Sequence, residues 1–303
     1  MEKKVEIAPS ASNSNIMTVS GNEREAGMMC TTGVQGVGKT YQNMHIISKY
    51  ITDKLDTKVK GRKVLIYDTN GEYTEQEFIN NGVKNVKPKL IKLTDVENFG
   101  YSNLIEVRRI DAKHLTIDEK QQVLEFVLKI YKNGLFVVED VNTYVIQMHH
   151  LIEVIGRLVN LRHRAADVLI SYQSLRAVEP RIWANSRWVR MHFQADKVED
   201  IKAKVTNPEL FKIAQIMVNH RYHNGYERFF VYITHSGQKI MGAFTKTEYM
   251  NSCRKFLNMN KSIVKEYEDT NTCTREEAYE GLIAIYYKMY YNNPDKEKQP
   301  AIK

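Results

Sequence analysis

The chain has 303 residues, 43% of them hydrophobic and 26% charged, which is ample for a packed core and excludes a largely disordered tail protein. Its 44 basic and 36 acidic side chains leave a formal charge of +8, an excess that permits contact with a polyanion without demanding it. Three widely spaced cysteines (Cys30, Cys253, Cys273) exclude a disulfide scaffold or a Cys/His zinc site, and no apolar stretch approaches the roughly 18 residues of a membrane span, so the expectation is a soluble or peripheral protein of a reduced compartment.

In chain order, residues 1–27 are polar, lack an apolar signal core and read as a mobile N-terminal arm. Met28 to Thr31 is a short strand, followed by glycine-rich punctuation and then by apolar groups at helical spacing from Tyr41 to Ile51. A basic loop, Lys54 to Lys63, leads to the strand Val64 to Tyr67, closed by the turn Asp68-Thr-Asn-Gly71. A further strand is expected at Lys89 to Leu93. The capping box Thr116-Ile-Asp-Glu119 and the stop at Gly134 bracket a helix that feeds the strand Leu135 to Val138.

An amphipathic segment runs from Tyr144 to Arg164, and strands follow at Val168 to Ser171 and Trp188 to Phe193. Asn207-Pro208 opens a helix, Arg228 to Thr234 and Lys239 to Phe244 form a hairpin, and the last 59 residues are helical, with a second capping box at Thr274 to Glu277. The order predicts an α/β fold with a mostly parallel sheet, a β-hairpin and C-terminal helices. It divides into a domain over 28–245 and a helical extension over 246–303.

Gly33-Val-Gln-Gly36-Val37-Gly38-Lys39-Thr40 fits G-x-x-x-x-G-K-[ST]. Small residues let backbone N–H groups wrap a phosphate, and the helix beginning near Lys39 aims its positive end at the same anion. The expected nucleotide contacts are Gly33, Gly36, Val37, Gly38, Lys39 and Thr40. Lys39 would bridge the β- and γ-phosphates of ATP, and the Thr40 hydroxyl would ligate Mg²⁺.

The apolar run Leu135 to Val138 ends in Glu139-Asp140, delivering two carboxylates to the carboxyl edge of a sheet. Hydrolysis needs one near the cation and one near the attacking water. Glu139 is assigned to the metal and Asp140 to the water. Asp68 ends another strand and faces the site if that strand neighbours the first; otherwise it is a turn residue.

Between Arg157 and Arg190 stand seven arginines and no lysine, with Asp167 and Glu179 as the acids. Such a bias suits forked recognition of phosphate or carboxylate, or a basic helix face with ion pairs. Arg162-His-Arg164 precedes the strand that ends in Ser171-Tyr-Gln173. A glutamine beside the acidic strand can sense a γ-phosphate, and an arginine at the far side of the fold can reach a neighbouring subunit's nucleotide.

The order of phosphate loop, Asp68-x-x-Gly71-Glu72-Tyr73, Glu139-Asp140, Arg162-His-Arg164 and Ser-Tyr-Gln173 resembles the FtsK/HerA superfamily of DNA-pumping ATPases, viral genome-packaging ATPases included. The stretch from Arg162 to Gln173 is also similar to the zonula occludens toxin-like assembly ATPases of filamentous phages. The resemblance covers about residues 28–195. It implies a RecA-like P-loop core, ATP hydrolysis with Mg²⁺, a homo-oligomeric ring, as a hexamer, and movement of double-stranded DNA without sequence specificity. It also implies Arg162 or Arg164 as a finger acting in trans and Gln173 as the sensor. A place in the host cytoplasm or on the virion follows, with a capsid vertex or membrane assembly proteins as further partners.

The sequence departs from the filamentous assembly proteins in having no membrane span and from HerA in having no room for its full N-terminal barrel; the acids are also reversed from the usual Asp-Glu order. Two rival readings stand beside the packaging motor: a phage export ATPase, and a nucleotide-binding regulatory module with no nucleic-acid role. The basic and aromatic run His220 to Arg228 reads as a helix-to-strand turn before it reads as a DNA grip. The stripe Tyr279, Tyr286, Tyr287, Tyr290 and Tyr291 reads as packing or a docking face.

Overall fold

A computed structural model describes residues 26–52, 60–234 and 238–293. The expected N-terminal arm, apart from its last two residues, lies outside them, as do most of the basic loop and the turn of the hairpin. The described chain forms two compact units, one ending at Arg187 and one beginning at Trp188.

The first unit is a parallel α/β layer. Its elements are β1 (Met28–Thr32), α1 (Lys39–Ile51), β2 (Val64–Asp68), α2 (Glu75–Asn80), β3 (Lys89–Leu90), α3 (Val96–Tyr101), β4 (Val107–Asp111), α4 (Ile117–Ile130), β5 (Gly134–Glu139), α5 (Met148–Asn160), β6 (Ala166–Tyr172) and α6 (Pro180–Asn185). The strands lie in the order β3-β4-β2-β5-β6-β1, each parallel to its neighbours. Every residue of β1, β2, β5 and β6 is buried, as a sheet covered on both faces requires. The helices α4, α5 and α6 pack in sequence against one another.

Local signals account for most boundaries. Thr116 and Glu119 close their capping box at the start of α4. The amphipathic segment is shorter than its pattern predicts: α5 stops at Asn160, Leu161–Arg164 tightens into a 3₁₀ turn, and Ala165 turns left-handed at φ 55° to launch β6. The expected strand at 89–93 keeps only two ladder residues, because a 3₁₀ turn starts at Leu93.

Gly134 sets where β5 begins. A Cβ there would lie 2.3 Å from the Tyr131 hydroxyl and 2.6 Å from the Lys63 carbonyl oxygen, so only glycine lets the strand start this close to its neighbours.

The second unit begins within β7 (Ser186–Met191) and continues through α7 (Pro208–His223), β8 (Val231–Thr234), β9 (Lys239–Gly242), α8 (Lys246–Met259), α9 (Lys261–Asn271) and α10 (Arg275–Tyr290). Trp188 to Met191 of β7 pair antiparallel with β8, and β8 with β9, which is the expected hairpin. The tyrosine stripe packs inward. Tyr279, Tyr286 and Tyr290 are buried, Tyr249 donates to the Tyr286 carbonyl over 2.8 Å, and Tyr287 and Tyr291 stack on each other.

The His220 to Arg228 run is a helix end and turn, with Gly225 at φ 89°. Arg221 sits over the rings of Tyr226 and Phe229 and pairs with Glu248, so its charge is engaged within the unit.

Two glycines make opposite predictions. Gly134→Ala should destabilise the chain by about 1–3 kcal/mol through overpacking. Gly156, inside α5, has only Arg181 Nη1 at 4.0 Å from a built Cβ. Gly156→Ala should therefore stabilise by about 0.5–1 kcal/mol through helix propensity. Urea midpoints at constant slope check both; equal shifts of one sign would refute the steric account of Gly134.

Candidate nucleotide site

Strand order brings the chemistry together. Because β6 lies between β1 and β5, the loop after β1, Gln173 after β6 and Asp140 after β5 come off adjacent strands at one sheet edge. Gly33 N–H donates to the Tyr172 carbonyl at 3.3 Å and Asp140 N–H to the Ser171 carbonyl at 2.9 Å, so both loops are tied to the end of β6.

The loop from Gly33 to Gly38 has the backbone of a phosphate cradle. Gly36 and Gly38 both adopt φ 83°, a left-handed conformation that favours glycine. Gly38 caps α1 without a side chain, so the positive end of the helix opens directly onto the loop. Val37 is buried and anchors the loop from below. Lys39 Nζ donates to the carbonyls of Gly33 (2.7 Å) and Val34 (2.8 Å), which sets its ammonium across the cradle.

The two acids at the end of β5 point to different surroundings. Asp140 takes a left-handed backbone, φ 46° and ψ 43°, and its Oδ2 accepts from Gln173 Nε2 at 2.7 Å. Burial raises its pKa, while the Gln173 bond and the charge of Lys39 pull the other way. Glu139 is buried in a polar knot: its Oε1 accepts from Asn43 Nδ2 at 2.8 Å and from the Tyr73 hydroxyl at 2.5 Å. Asn43 also donates to Ser171 Oγ at 3.0 Å. Burial pushes the Glu139 carboxyl up to about 7, opposed by the Tyr73 bond and assisted by the charges of Glu72 and Asp140.

β2 does pair with the acidic strand β5, yet Asp68 does not face the site, because both its carboxylate oxygens are taken up by the turn that follows and by Arg109. It organises instead. Its Oδ1 accepts from the N–H groups of Asn70 (3.3 Å), Gly71 (2.7 Å) and Glu72 (3.1 Å), and its Oδ2 from that of Tyr73 (3.1 Å). The Arg109 guanidinium pairs with Oδ2 at 2.9 Å. The turn so formed places Tyr73 on Glu139 and Glu72 on Thr40, whose Oγ1 donates to Glu72 Oε2 at 2.8 Å.

Three participants thus had no role in the sequence reading: Asn43, Glu72 and Tyr73. Asn43 follows Thr40 by three residues, which sets the two on neighbouring parts of one helix face. Glu72 and Tyr73 stand inside the quoted Asp68-x-x-Gly71-Glu72-Tyr73.

The two arginines lie at the opposite edge, where β6 begins. Arg164 Nη1 donates to the Leu128 carbonyl at 2.9 Å and the Lys129 carbonyl at 2.5 Å, closing the C-terminal end of α4. Arg162 is exposed on the same 3₁₀ turn.

Thr40 and Glu72, joined by their hydrogen bond, set oxygens beside the phosphate loop, while Glu139 and Asp140 are held by partners of their own. Among the described residues no three His, Cys, Asp or Glu side chains converge to hold a metal by themselves. A Mg²⁺ ion beside a phosphate needs only one or two protein groups, and the Thr40 hydroxyl is a group of that kind. Gly33 to Thr40 thus have the backbone of a phosphate-binding loop at a helix N-terminus.

No protein-family model matches the chain, and no curated protein matches it in sequence. Solved structures similar in fold include the genome packaging NTPase B204 from Sulfolobus turreted icosahedral virus 2 in complex with AMP. It is 13% identical over 74% of this chain and 100% of that one, with a TM-score of 0.44. B204, the DNA-packaging ATPase from Sulfolobus turreted icosahedral virus, is 13% identical over 72% and 98%, with a TM-score of 0.46. The N-terminal domain of zonular occludens toxin from Neisseria meningitidis is 12% identical over 56% and 78%, with a TM-score of 0.31.

The buried Glu139 makes a pH-dependent prediction. Its folded pKa, about 7, lies above the ordinary carboxyl value. Stability is therefore full where the unfolded chain also holds the proton, and it falls as pH rises toward and through 7. Glu139→Gln removes the ionisable group while keeping an acceptor for Asn43 and Tyr73. In nucleotide-free, chelator-treated protein it should be more stable than wild type at pH 8, by on the order of 2–3 kcal/mol, with the gap closing below about pH 5. Paired melting curves across pH check this; a gap that is flat with pH contradicts it.

Proposed function

We propose that the chain is an ATP-hydrolysing motor that translocates double-stranded DNA, packaging a viral genome into a capsid. The observation that carries the reading is the set of three adjacent strand ends that present the phosphate loop, Gln173 and Asp140 at one edge, with an exposed arginine, Arg162, at the other. Such a protomer holds a hydrolytic site on one side and on the other a cation that a neighbouring copy could use.

In this reading Gly33 to Thr40 hold the triphosphate, Lys39 neutralises the β- and γ-phosphates, and Thr40 and Glu139 serve the cation. Bound Mg²⁺ supplies charge neutralisation across the β- and γ-phosphates. Asp140 orients the attacking water and Gln173 holds Asp140 in place. The finger is better served by Arg162 than by Arg164, because Arg164 would have to leave two helix-end carbonyls to reach a neighbour. The ring, a hexamer, and its DNA grip rest on the motif resemblance and on the thin positive excess. Backbone contact without base readout is what a packaging motor needs. The export ATPase remains the rival; capsid genes beside the coding sequence favour packaging, and secretin-like genes favour export.

Lys39→Ala should stay folded and lose ATP turnover. Asp140→Asn should bind nucleotide with Mg²⁺ and fail in turnover. Arg162→Ala should lower turnover by about 10³–10⁵ with nucleotide affinity retained. Co-assembling Lys39→Ala with Arg162→Ala should restore part of the activity, since some interfaces then join an intact loop to an intact finger; the same mix with Arg164→Ala discriminates between the two. Mixtures that stay inactive despite demonstrated co-assembly, or full wild-type turnover by a monomer, would overturn the trans mechanism. DNA-stimulated turnover in the wild type separates the motor from a regulatory module.

A further inference from the structure

Thr40 Oγ1 donates its proton to Glu72 Oε2 at 2.8 Å. A hydroxyl that ligates a cation does so through an oxygen lone pair and remains a donor, so its proton needs an acceptor on the side away from the metal. The strand-end acids have other partners: Glu139 Oε1 takes Asn43 and Tyr73, and Asp140 Oδ2 takes Gln173.

We propose that Glu72 is the positioning residue of the magnesium site: by accepting from Thr40 it turns the hydroxyl lone pair toward the cation, and its charge adds to the field that holds the cation there. The inference rests on the nucleotide-site reading above. The backbone holds Glu72 for this task. Its own N–H and those of Gly71 and Tyr73 bind the Asp68 carboxylate, and Gly71 takes φ 76° to turn the chain, where a Cβ would stand 2.8 Å from the Lys113 side chain. The same turn seats Tyr73 on Glu139, so one short segment orients both the hydroxyl and the buried acid.

The test reads cation affinity rather than turnover. A fluorescent non-hydrolysable ATP analogue is titrated with Mg²⁺ on wild type, Glu72→Ala, Glu72→Gln and Thr40→Ala. The Mg²⁺ midpoint for Glu72→Ala should rise about 10- to 100-fold, the usual effect of removing a group that orients a metal ligand. Binding of the analogue in chelator should be unchanged or tighter, because a negative charge near the phosphates has gone. Glu72→Gln keeps an acceptor and should recover most of the midpoint. Glu72→Ala should cost clearly less on a Thr40→Ala background than on wild type.

A wild-type midpoint in Glu72→Ala overturns the proposal. So does equal weakening with and without Mg²⁺, which would mean a disturbed loop, and so does a Glu72→Gln variant as impaired as the alanine. If Glu72→Ala fails to fold, Glu72→Met, of similar length but with no acceptor oxygen, and the Thr40 cycle built with it carry the same comparison, additivity overturning the role. Lys39→Ala guards the underlying reading: wild-type analogue affinity there would remove the nucleotide site itself, whatever Glu72 does.

Discussion

The site depends on a carboxylate that never enters it. Asp68 ends β2 and gathers four successive backbone N–H groups and the Arg109 guanidinium onto its two oxygens. A buried carboxylate is tolerated only when so fully paired. Once it is, the next five residues have little freedom left, and Glu72 and Tyr73 are aimed at Thr40 and Glu139. Arg109 comes from β4, with Ile66 of β2 as its ladder partner, so an outer strand participates in shaping the nucleotide loop without approaching it.

Around Glu139 the chain accepts an unfavourable arrangement. A carboxyl group raised to about 7 by burial is held by Asn43 and Tyr73 rather than by a counter-ion. Lys39 is aligned with the phosphate cradle and acts on Asp140 instead. Natural sites often carry such local instability because the groups that bind substrate are not those that best stabilise the empty fold. The apolar layer beneath, β5 buried along its whole length, supplies the stability that lets the knot persist.

Much of this was legible in residues. The phosphate loop is readable because its glycines answer backbone demands, and the acids because an apolar run ending in two carboxylates has few other uses. The strand-end position of Gln173 was legible, and β6 does pair with β5. Strand β4 was invisible because Val-Arg-Arg-Ile-Asp holds three charged residues, one of them, Arg109, buried in its ion pair with Asp68, which erases the apolar alternation a strand reading looks for. The neighbour of β2 could not be read at all, since local patterns do not encode strand order; Asp68 was therefore left conditional. Glu72 escaped notice because a carboxylate in a turn has an ordinary explanation, and only its distance to Thr40 separates the two. Arg164 could not be told from Arg162 as the finger, and its bond to the end of α4 is a tertiary event.

Gly134 has a consequence at the far end of its strand. The six residues of β5 span roughly 16–20 Å, and their start is pinned by the absence of a Cβ. Strand β5 thus works as a ruler, with its zero mark at the glycine and its reading at the acids. Because successive side chains alternate sides, the ruler also has parity. A one-residue insertion or deletion within the strand would turn the Glu139 side chain to the opposite face and out of the buried knot. The distance from Gly134 to Glu139 is therefore as much a part of the site as the acid it delivers.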